Sequence, residues 1–219
     1  MKSLAILVLI LVICISTPAF ATPSIEFSPN PDTAGNWNYN GAGMLGFDQV
    51  ISIDRAMGSN ADPLVGAAVY IPTLTVSGTP YGPYTLTPLG RSTILIGNTD
   101  GSAIYLKGTL GKGDLVPVGT IGAGYTCFIS DITDVVVTSA GKSLGSAALS
   151  AIINSRITSL DFELSLQGGS GTNYYSLTQM LAGGYSGGNG FSGAMTIPEP
   201  ATIALLSFGS LTLLRKRRK

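Results

Sequence analysis

Leu160-Asp161-Phe162-Glu163-Leu164-Ser165-Leu166-Gln167 alternates apolar and polar side chains over eight consecutive positions. A period of two sends Leu160, Phe162, Leu164 and Leu166 to one face, and Asp161, Glu163, Ser165 and Gln167 to the other. One face enters a core and the other meets water, which is the habit of an antiparallel sheet. Working outward, shorter runs of the same kind cover residues 50–53, 93–96, 104–110, 125–129 and 134–138. In residues 69–76 the apolar phase slips across Pro72, as a bulge or an edge strand would require. Glycine-rich turn signals separate the runs at residues 98–101, 111–114 and 168–171.

One segment follows a helical period instead. Leu144, Ala147, Ala148, Ala151 and Ile152 fall at i, i+3, i+4, i+7 and i+8, with Ser143 placed to cap them. Residues 175–181 form a second, weaker helical segment. Many short strands, glycine-rich turns and one short helix predict a mainly β body, an antiparallel two-sheet β-sandwich of jelly-roll type. About 176 residues bury ~70% of their surface, so the core needs no disulfide.

Composition narrows the function classes. The chain has 219 residues, 11% charged, with no histidine. The commonest general base and the commonest metal ligand are therefore missing. The formal net charge is zero, but the signs are segregated: residues 22–197 hold six basic side chains against eleven acidic ones, a net of about −5. An acidic body without a basic stripe is a poor binder of nucleic acid.

Both ends read as addresses. Lys2 precedes an unbroken apolar run, residues 4–15, and Ala19-Phe20-Ala21 is a small-x-small cleavage site. Twelve helical residues reach only ~18 Å, short of the ~30 Å hydrocarbon core, so residues 1–21 are expected to be a removable signal peptide. At the other end, Pro198-Glu199-Pro200 leads into the mostly apolar residues 201–214 and then Arg215, Lys216, Arg217, Arg218 and Lys219. Fourteen helical residues span ~21 Å, and five consecutive cations resist translocation. Taken together, residues 22–196 form the body and residues 197–219 a short membrane-pausing tail.

The segment made of Pro198, Glu199 and Pro200, the apolar stretch and the basic cluster Arg215 to Lys219 resembles the PEP-CTERM sorting signal of exported bacterial proteins. The resemblance covers about a tenth of the chain. It implies processing near Pro198 by an exosortase, a membrane-embedded enzyme, after passage through the secretion machinery. It also implies transient anchoring in the inner membrane of a Gram-negative bacterium, then display at the cell surface or in an exopolysaccharide-rich extracellular matrix or biofilm. The polar residues Thr202, Ser207, Ser210 and Thr212 depart from a lasting anchor.

Motifs that mimic catalysis lack their surroundings. Gly184-Tyr185-Ser186-Gly187-Gly188 matches the nucleophile-elbow pattern, but no histidine exists to take the serine proton, and glycines follow where a helix is required. Gly41-Ala42-Gly43-Met44-Leu45-Gly46 matches a dinucleotide fingerprint without the strand before it and the helix after it. Gly141-Lys142-Ser143 ends like a phosphate loop, but the earlier glycine is Val136. No catalytic residue, metal site or cofactor is expected. The acidic residues Asp48, Asp54, Asp131, Asp134, Asp161 and Glu163 raise a structural Ca²⁺ as an alternative, without the spacing of a calcium loop. Cys127 is left alone in the mature body and reads as a small buried hydrophobe. Trp37 and Tyr39 alternate with Asn36, Asn38 and Asn40, so they are candidates for stacking on sugar rings. The expectation is a non-enzymatic exported surface or matrix protein, with a carbohydrate-binding module on exopolysaccharide and a secreted hydrolase as alternatives.

Overall fold

A computed structural model describes residues 24–29, 37–47, 51–79, 83–118, 125–167, 177–188 and 190–198. These are mainly β, and every strand pairing is antiparallel. The strands are β1 (Ser24–Pro29), β2 (Trp37–Tyr39), β3 (Met44–Phe47), β4 (Ile51–Ala56), β5 (Ala68–Tyr70), β6 (Leu74–Gly78) and β7 (Tyr84–Pro88). They continue as β8 (Thr93–Gly97), β9 (Ile104–Leu110), β10 (Gly113–Val118), β11 (Tyr125–Val137), β12 (Leu160–Gln167) and β13 (Phe191–Thr196). Three short helices join them: α1 (Ser139–Ser143), α2 (Ala147–Ser155) and α3 (Leu177–Gly183).

The expected two-sheet sandwich is not confirmed. Hydrogen-bonded neighbours run β12-β13-β1-β4-β5-β8-β9-β11, and β11 pairs back with β12, so eight strands close into a barrel. The remaining strands extend outward from β11 in the order β10-β7-β6-β3-β2. The branch point is one long strand. Residues expected as two strands, 125–129 and 134–138, form the single β11, bent where Asp134 takes a positive φ and the register shifts.

Opposite β11 lies a matching ribbon. β9 pairs with residues 132–137 and β10 with residues 125–129, both antiparallel, so β9 and β10 run end to end along one partner. The stretch Gly111-Lys112-Gly113, expected as a turn, is therefore a break inside a ribbon. There β9 stays in the barrel wall and β10 leaves it. A side chain at Gly113 would meet the Ile129 carbonyl oxygen at 2.0 Å, so only glycine permits the crossing. The Pro72 slip has a related resolution: β5 belongs to the barrel and β6 to the extension.

An eight-stranded barrel is just wide enough for its interior to be filled by side chains. Here Phe27, Phe128 and Phe162 fill it: Phe27 stacks on Phe162 at 5.9 Å between centroids, and Phe128 meets Phe162 edge-on at 6.0 Å. Leu160, Phe162, Leu164 and Leu166 all point inward and are buried, as the alternation requires.

Helix α2 closes one end of the barrel. Ala148, Leu149 and Ile152 are buried, and Ala148 and Ile152 line a small cavity with Ile25, Leu160, Met195 and Ile197. Its cap is Ser146, whose hydroxyl accepts from the Leu149 N–H, and not Ser143, which ends α1. Asp62 adds a second acceptor, taking the Ala147 N–H at 2.9 Å and the Leu64 N–H at 2.8 Å. The weaker helical segment is present as α3, which buries Leu177 and Met180.

Candidate functional site

The outer wall over β12, β13 and β1 carries a groove of about 300 Å³, lined by Glu26, Asp54, Glu163, Ser165, Ser192 and Ala194 among others. Its origin lies in strand register. Glu163 pairs with Ala194, and Ala194 pairs with Glu26, so two carboxylates flank one methyl group across three strands. Two strand spacings put their Cα atoms about 10 Å apart. The floor is low because β13 turns only the small residues Ser192 and Ala194 outward there. Gly193 between them faces the core, in register with Phe27 and Leu164. A side chain on Gly193 would lie 2.3 Å from the ring of Phe27.

Beside the groove, in register with Ser165 on the same face of the wall, sits the cysteine. Cys127 is buried, and its thiol donates to Glu163 Oε1 at 3.1 Å. Burial first, then the hydrogen bond to Glu163 and that residue's charge, push the thiol pKa up to about 12. It stays protonated at physiological pH, unfit as a nucleophile or redox group. What it does is hold one oxygen of Glu163.

One row nearer the α2 end, Asp131 faces Asp161 directly across the β11–β12 ladder. Burial, and the Asp131 charge facing it, raise the Asp161 carboxyl above its ordinary value. Asp54 lines the groove, and Asp134 lies exposed at the bend of β11. Among the described residues, no three His, Cys, Asp or Glu side chains are gathered to hold a metal ion. Asp48 lies outside the described residues.

The aromatic pair is corrected by the fold. Trp37 is 0% exposed and Tyr39 5% exposed. The indole N–H of Trp37 donates to the Gln167 carbonyl at 2.8 Å, and the Tyr39 hydroxyl accepts from the Gly43 N–H at 3.0 Å. Trp37 thus ties β2 to the end of β12 and Tyr39 braces its own hairpin, and neither buried ring has a free face for a sugar. The physical reason is that both residues alternate inward, just as the leucines of β12 do.

The mimicking motifs are structural. Residues 40–43 turn the hairpin between β2 and β3. Gly141 lies in α1 against the Tyr105 carbonyl. In the loop that holds Ser186, Gly187 exchanges backbone hydrogen bonds with Tyr39, which binds the edge of β2.

Of the residues expected to form a sorting signal, the structure describes only the first two. Ile197 is buried at the α2 end of the barrel, and Pro198, half-buried, is the last described residue. Ala19, Ala21, Glu199, Pro200 and Arg215, Lys216, Arg217, Arg218 and Lys219 lie outside the described residues. Among the described residues, no helix is long and apolar enough to cross a membrane.

Glu26 was not singled out from sequence, because its pairing with Glu163 across Ala194 exists only once the last strand docks beside the first. Asp62 carried a weak signal, an acidic residue before proline in a loop, with nothing to link it to a helix eighty-five positions away. The chain matches no protein-family model, no curated protein and no solved structure.

Proposed function

We propose that this is an exported, non-enzymatic surface or matrix protein. A solid barrel forms its body, and residues 197–219 act as a PEP-CTERM-like sorting tail processed by an exosortase. One observation carries the reading: the last inward residue of the barrel, Ile197, is followed at once by Pro198-Glu199-Pro200, so body and tail meet without a linker. The body is then cargo that stays intact when the tail is removed. Its outer wall suits a hydrated surrounding, since β12 turns Asp161, Glu163 and Gln167 outward and keeps its leucines inside. That is the reverse of a lipid-facing barrel strand. The test is intact mass spectrometry of protein exported by an exosortase-containing host. The expected species begins at Thr22 and lacks Arg215 to Lys219; an exported form that retains Lys219 would falsify the sorting reading.

A second reading, a secreted hydrolase, gains one specific observation. Glu26 and Glu163 flank a shallow groove with their Cα atoms about 10 Å apart, so their side chains would have to lean toward each other to reach the ~6.5–9.5 Å that separates the carboxyl groups of inverting glycosidases. Turnover of a glycan panel, lost in both Glu26→Gln and Glu163→Gln, would establish this alternative. No turnover by the unaltered chain leaves the groove as surface relief.

A further inference from the structure

Ser24, the first residue of β1, is the register partner of Thr196, the last residue of β13. The two strands are neighbours in the barrel, so the chain enters and leaves it about one strand spacing, ~4.8 Å, apart. Both openings lie at the end closed by α2, because Ile25, Met195 and Ile197 line one small cavity together with Ala148 and Ile152. The two apolar stretches of the sequence, residues 4–15 and 201–214, are therefore attached to the same end of the body.

The downstream connection is short. Ile197 is fixed against α2, and only Pro198, Glu199 and Pro200 separate it from the apolar stretch. Three extended residues reach ~10 Å. We infer that the α2 end of the barrel is a membrane-apposed surface, lying against phospholipid headgroups while the chain is anchored. This rests on the reading that residues 201–214 enter the bilayer.

The outward side of that end has suitable chemistry. α2 buries Ala148, Leu149 and Ile152 and exposes Ser150, Ile153 and Asn154, with Arg156 just past its last residue. Met57, also exposed, donates its backbone N–H to the Ser24 carbonyl, so its side chain stands beside the opening. From residue 135 to 160 the only charged side chains are Lys142 and Arg156, both exposed cations. The β8–β9 loop adds one exposed carboxylate at this end, Asp100, while the two apolar tips and two cations suit the headgroup layer, where apolar groups dip in and cations meet phosphate. The one carboxylate tucked under α2, Asp62, is turned inward to the helix N–H groups.

The test uses the full chain in vesicles of phosphatidylethanolamine and phosphatidylglycerol containing a headgroup-located quencher lipid. A fluorophore is placed at Ile153→Cys on α2, or at Met44→Cys on β3 in the extension; buried Cys127 does not compete for it. Both sites are exposed, and native Trp37 emission confirms that each variant folds. The expected result is co-flotation with vesicles and quenching at least threefold stronger at position 153 than at position 44. Co-flotation with equal quenching, or stronger quenching at 44, overturns the orientation and leaves the anchoring reading intact. Failure of the chain to float overturns the anchoring reading and the orientation with it.

Discussion

The carboxylate of Asp62 receives the Ala147 N–H at 2.9 Å, tying the loop after β4 to the first turn of the helix that closes the barrel. The same side chain takes the Leu64 N–H with its other oxygen, so one residue folds its own loop and caps a distant helix. Replacing it with alanine leaves the buried Leu64 N–H and the part-buried Ala147 N–H without their acceptor, and a longer approach of the Ala148 N–H is lost as well. The expected cost of Asp62→Ala is about 2–3 kcal/mol, and that of Asp62→Asn about 1 kcal/mol, because one amide oxygen keeps one acceptor. Urea denaturation midpoints measure both. A loss below 0.5 kcal/mol for alanine, roughly the level of a neutral surface change, would show that the cap carries little.

Core packing predicts a coupling. Gly193→Ala places a methyl group 2.3 Å from the Phe27 ring and should cost about 1–3 kcal/mol. In a Phe27→Leu background the same substitution should cost clearly less, since the clashing ring edge is gone. A double-mutant cycle reads the difference directly. Equal costs in both backgrounds would separate the two positions.

Acid titration tests the Asp131–Asp161 pair. Asp161 has its carboxyl raised in the folded chain relative to the unfolded value near 3.8, so the folded state holds that proton more tightly. Its contribution to stability is therefore greatest below pH 3.8 and is lost as pH rises through the raised folded value. Asp161→Asn should stabilise the protein at pH 7 by a few tenths of a kcal/mol, a modest figure because the pair is partly screened by water. It should also flatten the pH dependence in that window. Denaturation midpoints of the two proteins between pH 3 and pH 7 decide it.

The thiol should be silent. With its pKa pushed to about 12 and its side chain buried, Cys127 is expected not to react with a disulfide reagent at pH 8 in the native protein, and to react fully in denaturant. Rapid labelling of the folded chain would contradict the packing of the β11–β12 wall.

The single tryptophan offers a direct optical check. Trp37 is fully buried, so its emission should be blue-shifted and protected from aqueous quenchers, then move red on unfolding. Red-shifted, readily quenched emission from the native protein would reopen the stacking role that burial removes.

Local pattern was enough to find strands and not enough to find their partners. The alternation of β12 and the apolar residues of α2 were legible because period two and period 3.6 are written in neighbouring residues. Closure was not, since it depends on β11 reaching β12 on one side while β9 and β10 share its other edge. Gly111 and Gly113 looked like a turn because glycine serves a reversal and a strand crossing equally well. Trp37 and Tyr39 were candidates for sugar stacking because asparagines alternate with them, yet in a three-residue strand the amides simply take the other face. The pairing of Glu163 with Glu26 was invisible for the same reason as closure: the two stand 137 positions apart in the numbering and meet only through β13.

The pairing of Ser24 with Thr196 also sets a schedule. Synthesis runs from β1 to β13, so the first strand of the barrel has no partner on one side until the last has emerged. At ~5–20 residues per second, that wait is on the order of ten to thirty seconds. Throughout it the unpaired edge of β1 and the inward ring of Phe27 lack the strand that covers them. Such a seam leaves a strand edge open in the unfinished chain, and the moment it closes is fixed by the arrival of six residues, 191–196.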